Sequence, residues 1–132
     1  MVKAVLDTNV FLSAIFWGGL PLQVLKLATS KKIVGVTSIP ILEEVERKLR
    51  QKFDYPADKT KQFLELILKE FEIVEPKQKM LIIVEDPTDN KIIEAAIEAK
   101  ADFIVTGDRH LLKISEYKEI RIVTPKQFLS ES

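Results

Sequence analysis

Short, mostly apolar runs that stop at a polar residue alternate along this chain with segments of helical spacing, and that alternation narrows its fold most. Residues 2–6 stop at Asp7, 33–37 at Ser38, 103–106 just before Gly107-Asp108, and 120–123 at Thr124. Runs this short, rich in β-branched residues, suit strands buried on both faces. Between them, 10–16 and 22–28 carry helical spacing on either side of a Gly18-Gly19-Leu20-Pro21 break. Residues 39–53 place Leu42, Val45 and Leu49 on one helical face, and a further helix after Pro56 turns Phe63, Leu64, Ile67, Leu68 and Phe71 inwards. Ile73-Val74 and 80–84 are both extended candidates, and spacing does not choose which joins the main sheet. A helix over 89–100 through Ile92, Ile93, Ala96 and Ile97, a short one over 111–114 and a last turn over 125–129 complete the order. Strands alternating with helices make right-handed crossovers and a mainly parallel sheet covered on both faces, an α/β fold.

The 132 residues show no repeat or linker and read as a single domain, 1–132, large enough for one core without staples. Zero cysteines exclude a disulfide scaffold, a thiolate zinc site and a cysteine nucleophile. Asp7 interrupts the first apolar run too early for a secretory signal, and Gly18, Gly19 and Pro21 break 10–25, so no membrane span is expected. A soluble, cytoplasmic protein is the expectation. The 20 basic residues balance 20 acidic ones, so overall positive charge does not grip a polyanion; a local basic rim beside a local acidic pocket is still compatible.

Open α/β sheets bind ligands at the carboxyl ends of their strands, and Asp7 and Asp108 both fall at such ends. Asp89 and Glu44 are two further acids of interest. Each has a plain structural explanation. Asp86 before Pro87 reads as a helix cap, with Asp89 completing a capping box. Asp7 and Asp108 could cap the helices that follow them, and Glu44 could be one more solvated charge beside Glu43 and Glu46. Taken together, Asp7, Asp89 and Asp108 should converge on one sheet edge, where carboxylates without a balancing cation inside these motifs repel and call for a metal ion. Oxygen ligands with water suit Mg²⁺ or Mn²⁺. Helical phase puts Glu44 on the flank of its face, and spacing alone does not choose it over Glu46.

Leu-Asp-Thr-Asn-Val at 6–10, Ser38 with Glu44 six residues on, Asp-Pro-Thr-Asp-Asn-Lys at 86–91 and Ala-Asp-Phe-Ile-Val-Thr-Gly-Asp at 101–108 together resemble the PIN-domain nucleases. The nearest resemblance is to the VapC-like toxin components of toxin–antitoxin pairs. It covers essentially the whole chain, and the four motifs come in the family's order. It implies a three-layer α/β/α sandwich and a divalent-metal-dependent endoribonuclease that leaves 5′-phosphate and 3′-hydroxyl ends. Asp7, Glu44, Asp89 and Asp108 match the family's acidic quartet, as catalytic residues and as ligands for Mg²⁺ or Mn²⁺. Asn9 and Thr106 match its supporting polar residues, and Asp86 is an additional acid of this subgroup. The choice of Glu44 over Glu43 rests on this match.

An RNA substrate needs phosphate contacts, for which Lys31, Lys32, Arg47, Lys48, Arg50, Lys52, Arg109 and Lys113 are candidates, Lys48, Arg50, Arg109 and Lys113 foremost, with solvated surface charge as the competing explanation for each. Trp17 and Phe16 could stack on bases or bind a partner; burial in the core is the competing explanation for both. A protein antitoxin and a homodimer are expected by analogy. Two rivals carry other functions. A phosphatase with Asp7 as nucleophile would want a second Asp where Asn9 stands, and a non-catalytic module would keep the fold to bind RNA or an antitoxin. A housekeeping RNA-processing nuclease would carry the same acids as a toxin.

Overall fold

The computed structural model describes residues 1–77 and 89–131. The first strand, β1 (Lys3–Leu6), has Ala4, Val5 and Leu6 fully buried, as a central parallel strand requires. It is flanked by β2 (Val34–Ser38) on one side and β4 (Phe103–Val105) on the other, parallel to both, with Val5 level with Val36 and Ile104. β3 (Glu72–Val74) extends the sheet beyond β2, and β6 (Ile120–Val123) extends it beyond β4, again in parallel. The two-residue β5 (Glu116–Tyr117) pairs antiparallel with β6, giving the order β3-β2-β1-β4-β6-β5. Ile73-Val74 thus belongs to the main sheet, while 80–84 lies outside the described residues. The architecture is the expected α/β/α sandwich.

Helices α1 (Thr8–Phe16) and α2 (Gly19–Thr29) meet at a bend of 108°. Gly18 and Gly19 make that bend, with φ of +68° and +59° that side-chain-bearing residues rarely adopt. Among the described residues no single helix is long and apolar enough to cross a membrane. α3 (Ile39–Arg47) does not run as one α-helix to Phe53: it widens into a π-helical turn over Lys48–Lys52. Leu49 stays fully buried through the change, so the apolar face expected from spacing survives although the backbone pattern does not.

α4 (Ala57–Glu70) buries Ile67 and half-buries Phe63 and Leu64, but Leu68 is 48% exposed, against expectation. The inward stripe passes instead through Thr60, whose hydroxyl donates to the Pro56 carbonyl at 3.0 Å and so satisfies its polarity locally. Phe11 of α1 sits fully buried between the rings of Phe63 and Phe71, with centroids 6.1 and 5.5 Å away. Gly35 of β2 makes room for this cluster. A Cβ there would lie 2.6 Å from the Phe71 ring and 2.8 Å from the Ala28 Cβ.

α5 (Asn90–Ala99) packs across β1, β2 and β4 through Ile92, Ile93 and Ala96. α6 (Arg109–Ile114) and α7 (Pro125–Glu131) pack against β6. Because β1, β2 and β4 are parallel, the residues that follow them, and with them the start of α1, α3 and α6, gather at one edge of the sheet.

Candidate active site

Asp7 follows β1 and is 5% exposed. Its backbone N–H donates to the Val105 carbonyl at 3.0 Å, which ties it to the end of β4. It occupies the cap position of α1 without a full side-chain cap bond, the Asn9 backbone N–H only lying near enough to favour its charged form. The carboxylate faces Thr106, whose hydroxyl donates to Asp7 Oδ2 at 2.6 Å. The same hydroxyl accepts the Asp108 backbone N–H at 3.0 Å. With its proton committed to Asp7 and its lone pair to Asp108, Thr106 is locked in one rotamer between the ends of β1 and β4. Burial raises the Asp7 pKa above its ordinary 3.8, the Thr106 bond and the Asn9 backbone N–H oppose this, and the nearby Asp108 and Glu44 charges add to it.

Asp108 behaves as the plain explanation had it. Its Oδ1 accepts the His110 backbone N–H at 2.8 Å and caps α6. The second carboxylate oxygen need not take part in that bond, so capping and a role toward a ligand are compatible. Asp89, 6% exposed, sits at the cap position of α5 without a side-chain cap bond. Asp86 lies outside the described residues.

Glu44 turns into the protein, 7% exposed, and is distinguished from the exposed Glu43 and Glu46 by that burial. The Thr8 hydroxyl donates to its Oε1 at 2.7 Å. Lys91 Nζ lies 3.1 Å from Oε1, and Lys48 Nζ lies 3.5 Å from Oε2. Burial would raise its pKa, but Thr8, then Lys91, then Lys48 outweigh it and bring Glu44 below its ordinary 4.5. This corrects the expectation that the acidic motifs hold no balancing cation. Lys91 closes the third of the four motifs and neutralises Glu44 from α5, while Lys48 does so from the π turn. Sequence reasoning missed both, along with the structural part of Thr8, which is buried directly after Asp7.

The remaining sequence candidates are placed as follows. Asn9 is exposed on the first turn of α1. Lys48 is engaged with Glu44, and Arg50 donates from Nη1 to the Tyr55 carbonyl. Arg109 and Lys113 line a hollow of about 570 Å³ with His110 and Leu112. Trp17 is 71% exposed and Phe16 half-buried, which settles the core-burial question differently for the two rings.

Could this edge hold a metal ion? The donors are all oxygen, which suits Mg²⁺ or Mn²⁺ and not a thiophilic ion. Among the described residues, the buried oxygens Thr37 Oγ1, Ser38 Oγ and Asn90 Oδ1 have no hydrogen-bond partner. Ser38 ends β2 and Asn90 adjoins Asp89, so unused acceptors accompany the carboxylates and fit a hydrated cation's donors. Among the described residues, no three acidic or imidazole side chains stand close enough together to bind an ion directly as they are.

A profile of the PIN domain matches residues 3–110, from β1 to the start of α6. The chain belongs to the PIN-domain family. This makes it a member of a nuclease family, and the matched span contains every acid described above. It is 33% identical over 144 aligned residues to the uncharacterized protein MJ1680 of Methanocaldococcus jannaschii, an alignment covering 98% of this chain and 91% of that one. Among solved structures, the fold is similar to VapBC2 from Rickettsia felis, crystallised with a DNA fragment from its promoter (TM-score 0.64, 18% identity, 92% of this chain and 97% of that one). It is also similar to FitAcB from Neisseria gonorrhoeae (TM-score 0.57, 14% identity, 93% and 98%) and to the RRP44 PIN domain of T. brucei (TM-score 0.54, 13% identity, 98% and 80%). At these identities the three structures speak for the fold.

Proposed function

We propose that this PIN domain is a divalent-metal-dependent endoribonuclease and the toxin of a cytoplasmic toxin–antitoxin pair. The observation that carries the reading is Asp7: a buried carboxylate held by Thr106 at the carboxyl edge of the sheet and destabilised as an anion by burial, Asp108 and Glu44. An RNA phosphate brought to such an edge adds further negative charge, so the site needs a cation. Asp7, Asp89 and Asp108 would hold Mg²⁺ or Mn²⁺, with Glu44 contributing to a second position or to the orientation of water. Bound there, the ion neutralises the phosphate and makes its water more acidic.

The chain's own residues do the rest. Thr106 fixes the orientation of Asp7 and ties it to the backbone of Asp108. Thr8, Lys91 and Lys48 keep Glu44 ionised, so that its Oε atoms can accept a hydrogen bond from water at neutral pH. Arg109 and Lys113, beside Asp108, offer phosphate contacts from the hollow they share.

The antitoxin partner is proposed on the similarity to VapBC2 and FitAcB, and a homodimer on the family resemblance alone. The likeness to the RRP44 PIN domain favours a second reading, an RNA-processing nuclease with the same acids. A gene for a small DNA-binding protein beside this one, whose product blocks cleavage, separates the two. The nuclease itself is tested by incubating purified protein with structured and unstructured RNA in Mn²⁺ or Mg²⁺, against chelator and against Asp7→Asn. Cleavage lost with both is expected; equal cleavage by the variant would contradict the site.

A further inference from the structure

Away from the acidic edge, one surface joins an exposed indole ring to a run of basic side chains. Trp17, at the end of α1, is 71% exposed, yet its ring is braced edge-on by Phe16 (centroids 5.8 Å) and Phe53 (6.4 Å). Phe16 in turn packs on Phe53 at 4.6 Å and Tyr55 at 5.4 Å. An indole braced by two rings and mostly open to water is a flat, fixed apolar surface.

The π turn Lys48–Lys52 leads into Phe53. Residues 47–52 include Arg47, Lys48, Arg50 and Lys52 and no acid, with Glu46 and Asp54 as the flanking charges. The Lys52 ammonium lies 5.5 Å from the Phe53 ring centre, so cation and ring share one surface. Lys48 connects this surface to the site through its pair with Glu44. π turns inserted in α-helices recur at functional positions, because they re-aim side chains without breaking the helix's packing.

We propose that the Trp17–Phe53 face is a stacking platform for an unpaired base of RNA, with Arg47, Arg50 and Lys52 contacting the adjoining phosphates. This rests on the nuclease reading and names the part of the strand beyond the scissile bond. Asp7 and Trp17 flank α1 at its two ends, about 15 Å apart along its axis, which puts the platform a few nucleotides from the carboxylates. The cations argue for a polyanion: an apolar protein surface seated on Trp17 would have to strip water from them without compensation. Because a paired base has both faces covered, the platform selects single strands over duplex.

Trp17 is the chain's one tryptophan, so its emission reports this face alone. Wild-type protein in chelator, titrated with a short unstructured RNA whose integrity is checked on a gel, should show quenched emission that weakens with salt; the same RNA annealed to its complement should not quench. Trp17→Ala should bind the single strand roughly 5- to 100-fold more weakly, with Trp17→Phe recovering most of the loss. Arg47→Gln and Lys52→Gln should each flatten the salt dependence by about 0.7 in logarithmic slope. These exposed positions should leave melting unchanged. Binding without quenching, or unaltered binding by Trp17→Ala, overturns the platform. So does a blue shift of emission with protein concentration in the absence of RNA, which gives the face to a second copy. Cleavage in Mn²⁺ with unquenched Trp17 removes the platform and keeps the nuclease; quenching with no metal-dependent cleavage of any RNA does the reverse.

Discussion

Asp7 and Glu44 are buried to similar extents at the same edge, and their surroundings push their proton affinities in opposite directions. The strand side, where β1 and β4 meet, gives Asp7 one hydroxyl and a backbone N–H against burial and two like charges. The helix side, where α3 and α5 meet, gives Glu44 one hydroxyl and two lysines. Glu44 is therefore complete without a ligand, whereas Asp7 remains a costly anion. A site divided this way has one carboxylate that gains from a cation and one already settled as a hydrogen-bond acceptor.

The largest effect should come from removing the costly side. Asp7→Asn should lower RNA cleavage by at least about 100-fold, the upper end of what loss of a mere supporting group costs at a metal site. In chelator the same variant should be more stable than wild type at pH 7. A folded pKa above 3.8 means the native state holds the proton longer than the unfolded one, so this group favours folding below 3.8 and loses that contribution as pH rises through the folded value. The gain from Asp7→Asn, read by urea denaturation, should therefore grow with pH and vanish below 3.8.

Thr106→Val attacks the link between the two strand-end acids. It strips the donor from Asp7 and the acceptor from the Asp108 N–H, and should cost about 1–3 kcal/mol at pH 7. Its penalty should shrink in acid, where Asp7 is protonated.

Smaller still is the expected cost of Lys91→Gln, about 1 kcal/mol, because Lys48 and Thr8 continue to hold Glu44. The sign here is opposite to that of Asp7. Glu44 is depressed below 4.5, so its contribution is present above that value and lost as pH falls through the folded pKa. Lys91→Gln should narrow that window from below, and urea midpoints between pH 3 and 7 check it. If Asp7→Asn and Lys91→Gln changed stability in the same direction as pH rises, the division between the two sides would fail.

The strand side was legible in the sequence and the helix side was not, for a physical reason. Apolar runs that stop at Asp7 and before Asp108 announce parallel strand ends, and parallel strand ends share an edge. Nothing local announces that Lys91 meets Glu44 across 47 positions, since that contact depends on how α5 crosses the sheet. β5 was missed because two residues carry no period, and its turn uses Lys118 and Glu119 at positive φ where glycine or asparagine would have signalled it. The π turn was invisible because Leu49 keeps its burial through it. Leu68 was placed inwards because helical spacing cannot show how narrow a face the neighbouring layer covers.

The most direct test is to follow the Asp7 carboxyl carbon by NMR through a pH titration, in chelator and then with Mg²⁺. Asp7 should titrate above 3.8 in chelator and shift clearly downward when Mg²⁺ is added, while Glu44 stays below 4.5 in both. An Asp7 that titrates at or below 3.8 and ignores Mg²⁺ would contradict a cation-binding role for this edge.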